Sequence, residues 1–168
     1  MIEKIGEIKI RQANKLDVPH LQRLFSEYAS ELSLDLSFQH FAQELEGLPG
    51  DYAPPKGELL LAVEDGLPAG CVAMRLLASR ICEMKRLYVR PPYRRKGLGK
   101  RLIEAIIGVA RRAGYSSMRL DTLSSMEAAR FLYSAFGFRP IPPYYHNPLD
   151  GAEYMELDLQ LDLRQPDP

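Results

Sequence analysis

Net charge, cysteine and long apolar runs are what this sequence lacks, and each absence removes a class of protein. The 168 residues carry 22 Lys and Arg against 22 Asp and Glu, a formal charge of zero. A balanced total argues against a surface built throughout to hold nucleic acid or anionic lipid, and neither is expected as a partner. Two cysteines, Cys71 and Cys82, are too few and too far apart for a zinc site or a disulfide framework. They read as reduced thiols of a cytoplasmic protein, and no metal is expected. The longest stretch free of formal charge, Pro140 to Leu149, has ten residues, four of them proline, far short of the about 18 apolar residues of a spanning helix. The opening Met1 to Glu7 carries acidic residues and no apolar segment of the secretory kind. What is present instead is 46% apolar content, enough for one core of ordinary size, so one domain over residues 1–168 is expected.

The zero total is a sum over unlike regions. From Lys85 to Arg101 there are eight basic residues and no acid, whereas Glu31 to Asp65 holds eight acids against the single base Lys56. The stretch from Asp150 to the end is acidic as well. A charge run is ordinarily a solvated face, so the basic run gains meaning only from its local context.

Alternation of Ile8 and Ile10 with Lys9 and Arg11 predicts a half-buried strand. Asn14 is placed to cap a helix with Leu16, Leu21, Leu24, Phe25, Tyr28 and Leu32 on its apolar stripe and Pro19 in its first turn. A second helical pattern runs from Phe38 to Leu48 and ends at Pro49-Gly50. Three strands follow, at 58–64, 68–77 and 81–89, the first two joined by the hairpin signal Asp65-Gly66. Gly97 to Ala113 predicts a strong helix with Leu98, Leu102, Ala105, Ile106, Val109 and Ala113 inward. Met118 to Thr122 reads as a strand. Ser124 or Ser125 is placed to cap a helix bearing Ala129, Leu132, Tyr133 and Phe136, and two last strands run over 138–141 and from Tyr154 to Leu161. The expected fold is α/β: a single mixed, mostly antiparallel twisted sheet of about seven strands flanked by about four helices.

The junction Val89-Arg90-Pro91-Pro92-Tyr93-Arg94-Arg95-Lys96-Gly97-Leu98-Gly99-Lys100 joins a strand to the strongest helix. A helix N-terminus offers unpartnered N–H groups and a partial positive charge, so an anion there is stabilised twice over. Gly97 and Gly99 let a diphosphate approach the backbone, and Arg94, Arg95, Lys96 and Lys100 add charge. A P-loop would need Ser or Thr where Arg101 stands, and a dinucleotide fingerprint a small residue at Leu102.

Arg94-x-x-Gly97-x-Gly99 between strand and helix resembles the coenzyme A pyrophosphate signature of the GNAT acetyltransferase superfamily. Glu83 to Val89 and Leu120-Asp121-Thr122 look like that family's fourth and fifth strands, and Ala129 to Phe138 like its last helix with the terminal Gly-Phe. A departure is Met126, where many members carry Asn to contact the pantetheine arm. The resemblance implies acetyl transfer from acetyl coenzyme A to an amine by direct attack in a ternary complex. Such transfer requires a neutral amine, a stabilised oxyanion and a proton for the leaving thiolate. Tyr133 matches the family's proton donor. The backbone N–H of Leu87 would serve the oxyanion, and Glu83 is the counterpart of a base found in one branch. Leu87, Tyr88 and Val89 would pair with the cofactor's amides, Arg94, Arg95, Lys96, Gly97, Leu98, Gly99 and Lys100 would hold its phosphates, and Ala129 would line the site from the last helix.

For the acceptor, the acidic flanks suggest a small cationic amine or a lysine or N-terminal amine. His146, in the Pro- and Tyr-rich loop, reads either as solvated or as a base or substrate contact. Tyr144 and Tyr145 either line the acceptor pocket or cover the core edge. A homodimer is also compatible with the reading. Two alternatives are a coenzyme A-binding sensor without catalysis and a nucleic-acid-binding domain using the basic run.

Overall fold

A computed structural model describes residues 6–33 and 35–160. The seven strands are β1 (Ile8–Gln12), β2 (Glu58–Glu64), β3 (Leu67–Ala78), β4 (Ile81–Val89), β5 (Ser117–Leu123), β6 (Arg139–Ile141) and β7 (Ala152–Asp158). The helices are α1 (Val18–Glu31), α2 (Phe41–Glu46), α3 (Leu98–Arg112) and α4 (Glu127–Ala135). All strands form one sheet in the order β1-β2-β3-β4-β5-β7-β6, in which only β4 and β5 run parallel. This is the expected mixed sheet with four helices. Among the described residues no helix is long and apolar enough to cross a membrane.

Each face of the sheet carries its own core. The larger one packs Leu98, Leu102, Ile103 and Ile106 of α3 against β2, β3 and β4 and reaches Tyr133 and Phe138. The smaller one packs Leu21, Leu24 and Phe25 of α1 with Tyr52 against Leu59, Leu61 and Tyr88. The apolar stripe of α3 is turned from the expected one. Ile103, Ile107 and Ala110 are buried, Ala105 and Val109 are half-buried and Ala113 is exposed, because contact with the sheet spans a wider arc than one stripe.

Local departures have local causes. Asn14 caps a 3-10 turn, Lys15–Asp17, rather than α1: its Oδ1 accepts the Leu16 N–H, while Asp17 Oδ2 accepts the Asn14 N–H. Leu16 is therefore exposed, and Pro19 falls in the first turn of α1 as expected. The expected second helix splits at His40, which adopts φ 55°, into the 3-10 turn Ser37–Gln39 and α2. No side chain caps α4; Met126 occupies the cap position, and the Ser124 carbonyl instead accepts from Arg130. The last strand ends at Asp158, whose Oδ1 accepts the Gln160 N–H and turns the chain; Leu161 lies outside the described residues.

Two features of β4 make room for a site. It pairs with β5 only from Ile81 to Glu83, opposite Ser117 to Arg119, after which the two strands separate. Opposite β3, Cys71 faces Tyr88 and Ala73 faces Lys85, so Val72 faces both Arg86 and Leu87. This bulge holds Arg86 at φ 59°, a left-handed conformation that costs a non-glycine residue about 1 kcal/mol and persists only where surroundings enforce it.

Candidate active site

The gap between β4 and β5 opens on two sides. On one side is a cleft of about 700 Å³ with Leu87, Tyr88 and Val89 on one bank, Ala129 and Leu132 on the other, and the start of α3 between them. Gly97, at φ 75°, is the cap of α3, and the first backbone bond into the helix is Arg101 N–H to Gly97 carbonyl. The N–H groups of Leu98, Gly99 and Lys100 thus precede the helical ladder. A Cβ at Gly97 would meet nothing within 4 Å, and one at Gly99 only Leu132 Cδ1 at 3.5 Å. Free space therefore lies beside those donors, and a diphosphate fits it.

Of the basic residues expected here, Arg94, Arg95 and Lys100 line the cleft. Lys96 does not: its Nζ stands 5.9 Å from the Tyr93 ring centroid. Arg94 Nη2 lies 2.6 Å from Glu31 Oε1, and its Nε donates to the Val89 carbonyl at 2.9 Å. The Tyr88 hydroxyl donates to Glu31 Oε2 at 3.0 Å, and partial burial with that carboxylate pushes Tyr88 up to about 12. Arg95 and Lys100 line the cleft and form no ion pair among the described residues.

On the other side lies a tight cavity whose walls include Lys85, Arg86, Leu87, Asp121, Tyr133 and Asn147. Leu87, Tyr28 and Met126 line both cavity and cleft and mark where the two meet. Tyr133 lines the cavity alone, its ring edge-on to Phe138 at 5.8 Å. Burial pushes its hydroxyl well above the ordinary tyrosine value. Among the described residues that hydroxyl has no hydrogen-bond partner, yet the only sealed side-chain polar atom without one is His20 Nδ1. The Tyr133 oxygen is therefore reachable from outside the protein.

The expected base, Glu83, does not line the cavity. It is 1% exposed and held by Arg75 Nη2 at 2.9 Å, Lys85 Nζ at 3.8 Å and the Tyr144 hydroxyl, which donates to Oε2 at 2.6 Å. The carboxylate that does reach the cavity is Asp121, which accepts from the Tyr145 hydroxyl and from Asn147 Nδ2, the latter at 3.0 Å. Tyr144 and Tyr145 meet the Tyr154 ring edge-on at 5.3 and 5.6 Å and pin the Pro-rich loop beside the cavity. His146 is exposed and outside the cavity wall.

Lys85 and Arg86 are buried on the cavity side and do not belong to the phosphate cradle. Arg86 Nε donates to Glu44 Oε2 at 2.8 Å, and its guanidinium lies 5.2 Å from the Phe41 ring and 6.0 Å from that of Tyr28. Glu27 pairs with Arg90 and Glu31 with Arg94. Glu31 and Glu44 of the anionic flank thus serve as internal counter-charges to Arg94 and Arg86, which leaves fewer acids of that flank to face a cationic acceptor. Sequence reading missed Gln39, Asp121 and Asn147 as cavity groups. The available signal was Lys85-Arg86 and Asp121, charged residues inside predicted strands.

The tyrosines give the site a pH signature. Burial holds the hydroxyls of Tyr52, Tyr133, Tyr144 and Tyr145 above their ordinary 10.0, and Glu83 and Asp121 add to this at Tyr144 and Tyr145. The folded chain keeps these protons where the unfolded chain releases them, so their stabilisation is complete below pH 10.0 and lost above it. Lys85, lowered by burial from 10.5, works in the opposite direction. Four groups outweigh one, and urea midpoints measured from about pH 8 to about pH 11 should fall beyond about pH 10. A flat or rising profile would show that these hydroxyls are not buried as described.

Residues 18–138 match the family model described as the acetyltransferase (GNAT) family. An uncharacterised N-acetyltransferase of Schizosaccharomyces pombe is 41% identical over 157 residues, covering 92% of this chain and 94% of its own length. Among solved structures, a GNAT-family acetyltransferase of Staphylococcus aureus superposes with TM-score 0.77 at 22% identity, over 91% of this chain and 99% of that one. The PaiA N-acetyltransferase of Thermoplasma acidophilum, solved in complex with coenzyme A, gives 0.71 at 19% identity, over 90% and 99%. The chain belongs to the GNAT acetyltransferase family.

Proposed function

We propose that this protein transfers the acetyl group of acetyl coenzyme A to a primary amine by direct attack in a ternary complex. The observation that carries the reading is the meeting of cleft and cavity at Leu87, with Tyr133 on the cavity side. The cosubstrate supplies an acetyl thioester; Arg95, Lys100 and the first N–H groups of α3 hold its phosphates, and the bank Leu87 to Val89 holds the arm. At the junction the amine nitrogen bonds to the acetyl carbon and the carbon–sulfur bond breaks. The bulged backbone N–H of Leu87 serves the carbonyl oxygen as charge builds there. Tyr133 gives its proton to the leaving sulfur, and the proton lost by the amine passes to Asp121, the carboxylate on the cavity wall. Glu83 acts at one remove, holding Lys85 in place.

A sensor without catalysis would need the cleft alone, whereas here a polar cavity with an unengaged hydroxyl adjoins it. The basic run as a nucleic-acid surface is depleted by the burial of Lys85 and Arg86 and the pairing of Arg90 and Arg94 with acids. Thermal unfolding with acetyl coenzyme A and with short duplex DNA tests the reading. A ligand at about 100 times its Kd stabilises by about 2.7 kcal/mol, several degrees for a chain of this size. We expect that response to acetyl coenzyme A, together with amine-dependent release of free thiol. Stabilisation by DNA alone, or binding without turnover on any amine, would overturn it.

A further inference from the structure

The oxygen of one neutral side chain sits between two buried cations. Gln39 Oε1 accepts from Lys85 Nζ at 3.1 Å and from Arg86 Nη2 at 2.9 Å, while Gln39 Nε2 donates to the Tyr145 hydroxyl at 3.2 Å. Lys85 and Arg86 are 6% and 4% exposed. On this bank the carboxylates of Glu83 and Glu44 face three cations, Arg75, Lys85 and Arg86. On the opposite bank the donors to Asp121, Tyr145 and Asn147, are both neutral. One bank is therefore a positive charge in excess and the other a negative charge in excess, with the cavity between them. The two excess charges face each other only across the cavity, and a zwitterion set between them pairs each at hydrogen-bond distance.

Resting on the acetyl-transfer reading, we propose that the acceptor is a free amino acid, its carboxylate taking the place of Gln39 Oε1 between Lys85 and Arg86 and its amine directed at Asp121. A carboxylate has the planar carbon–oxygen geometry of the Gln39 amide. It adds a negative charge, so that two bonds from a cation to a neutral amide become two ion pairs. The amine then lies on the wall that also carries Leu87 and Tyr133, where the acetyl group is received. Gln39 is borne by one 3-10 turn that ends at His40, so its withdrawal leaves α2 and the Arg86–Glu44 pair in place. A purely cationic acceptor would set its charge against Lys85 and Arg86.

The test is acetyl-coenzyme-A-dependent thiol release with the common L-amino acids, their carboxamides, spermidine and a lysine-containing peptide amide. At least one free amino acid should be used with kcat/KM at least about tenfold above its carboxamide and above both cationic acceptors. Lys85→Met should raise KM for that amino acid by more than for its carboxamide, which loses a hydrogen bond but no ion pair, so that the preference shrinks. Should that variant not fold, the wild-type chain with coenzyme A decides the same question, through stabilisation by the N-acetyl amino acid and not by its amide. A carboxamide, spermidine or peptide used equally well or better would overturn the amino-acid assignment while acetyl transfer stands. Absence of turnover on every amine, with no stabilisation by acetyl coenzyme A, would overturn both.

Discussion

Replacing Tyr133 by Phe should lower kcat by about 10²- to 10⁴-fold, the range spanned by a single general acid, while binding of acetyl coenzyme A stays as it was. The split follows from position. Tyr133 lines the cavity and not the cleft, so nothing that holds the phosphates or the arm is touched. Its hydroxyl has no partner among the described residues, so the substitution breaks no hydrogen bond. Burial holds the proton on the oxygen throughout the neutral range, as a donor to a departing thiolate requires. The ring contact with Phe138 is retained by Phe, and the unfolding temperature should move by no more than about 2 °C. Rapid-mix thiol release gives kcat, and titration with acetyl coenzyme A gives the affinity. Unchanged turnover would remove Tyr133 from the reaction, and loss of affinity would place it in the cleft.

The parts of this protein that are legible from sequence are those made by neighbours along the chain. Strands Glu58–Glu64 and Ile81–Val89 coincide with their apolar runs. The Asp65-Gly66 turn takes the two positive φ values, 49° and 79°, that its hairpin requires. The proposed phosphate cradle is equally local, a strand end, a glycine cap and a helix start within about a dozen residues. Where distant segments decide, the reading slips. The breadth of α3's buried face depends on three strands that it covers, which put Ile103 inside and Ala113 outside. The cavity is the extreme case: Gln39 meets Tyr145 across 106 positions and Lys85 across 46. The strand position of Lys85 and Arg86 sets them apart from Arg94 and Arg95 beyond Pro91-Pro92, but nothing local says that they meet Gln39 and Glu44. Glu83 is legible as a residue of β4, but its burial depends on Tyr144 61 positions away. The same long-range pairing turns Glu31 and Glu44 of the acidic flank into internal counter-charges.

Removing the Arg86 guanidinium should produce the largest loss of stability among single changes at the site. Arg86→Met leaves Glu44 with its Tyr52 hydrogen bond and no cation, in surroundings where the paired side chains are 3% and 13% exposed. Breaking such a pair from one side costs about 3 kcal/mol, because the surviving charge stays buried. That is an unfolding temperature lower by roughly 10 °C for a chain of this length. Met keeps contact with the Phe41 and Tyr28 rings that now flank the guanidinium. It also occupies the same left-handed backbone, so neither packing nor strain accounts for the loss. Glu44→Gln alone strands Arg86 instead, and the double variant strands neither. Urea unfolding of the wild type, both single variants and the double variant should give a coupling energy of about 2 kcal/mol, with the double variant far more stable than the sum of the single losses. Additive losses would mean that the pair does not hold the bulge, and that Arg86 keeps its left-handed conformation through the β3 ladder alone. A large coupling would instead tie α2 to the bulge at Leu87, so that the contact fixing the proposed oxyanion donor is the same one that sets the cationic wall of the cavity.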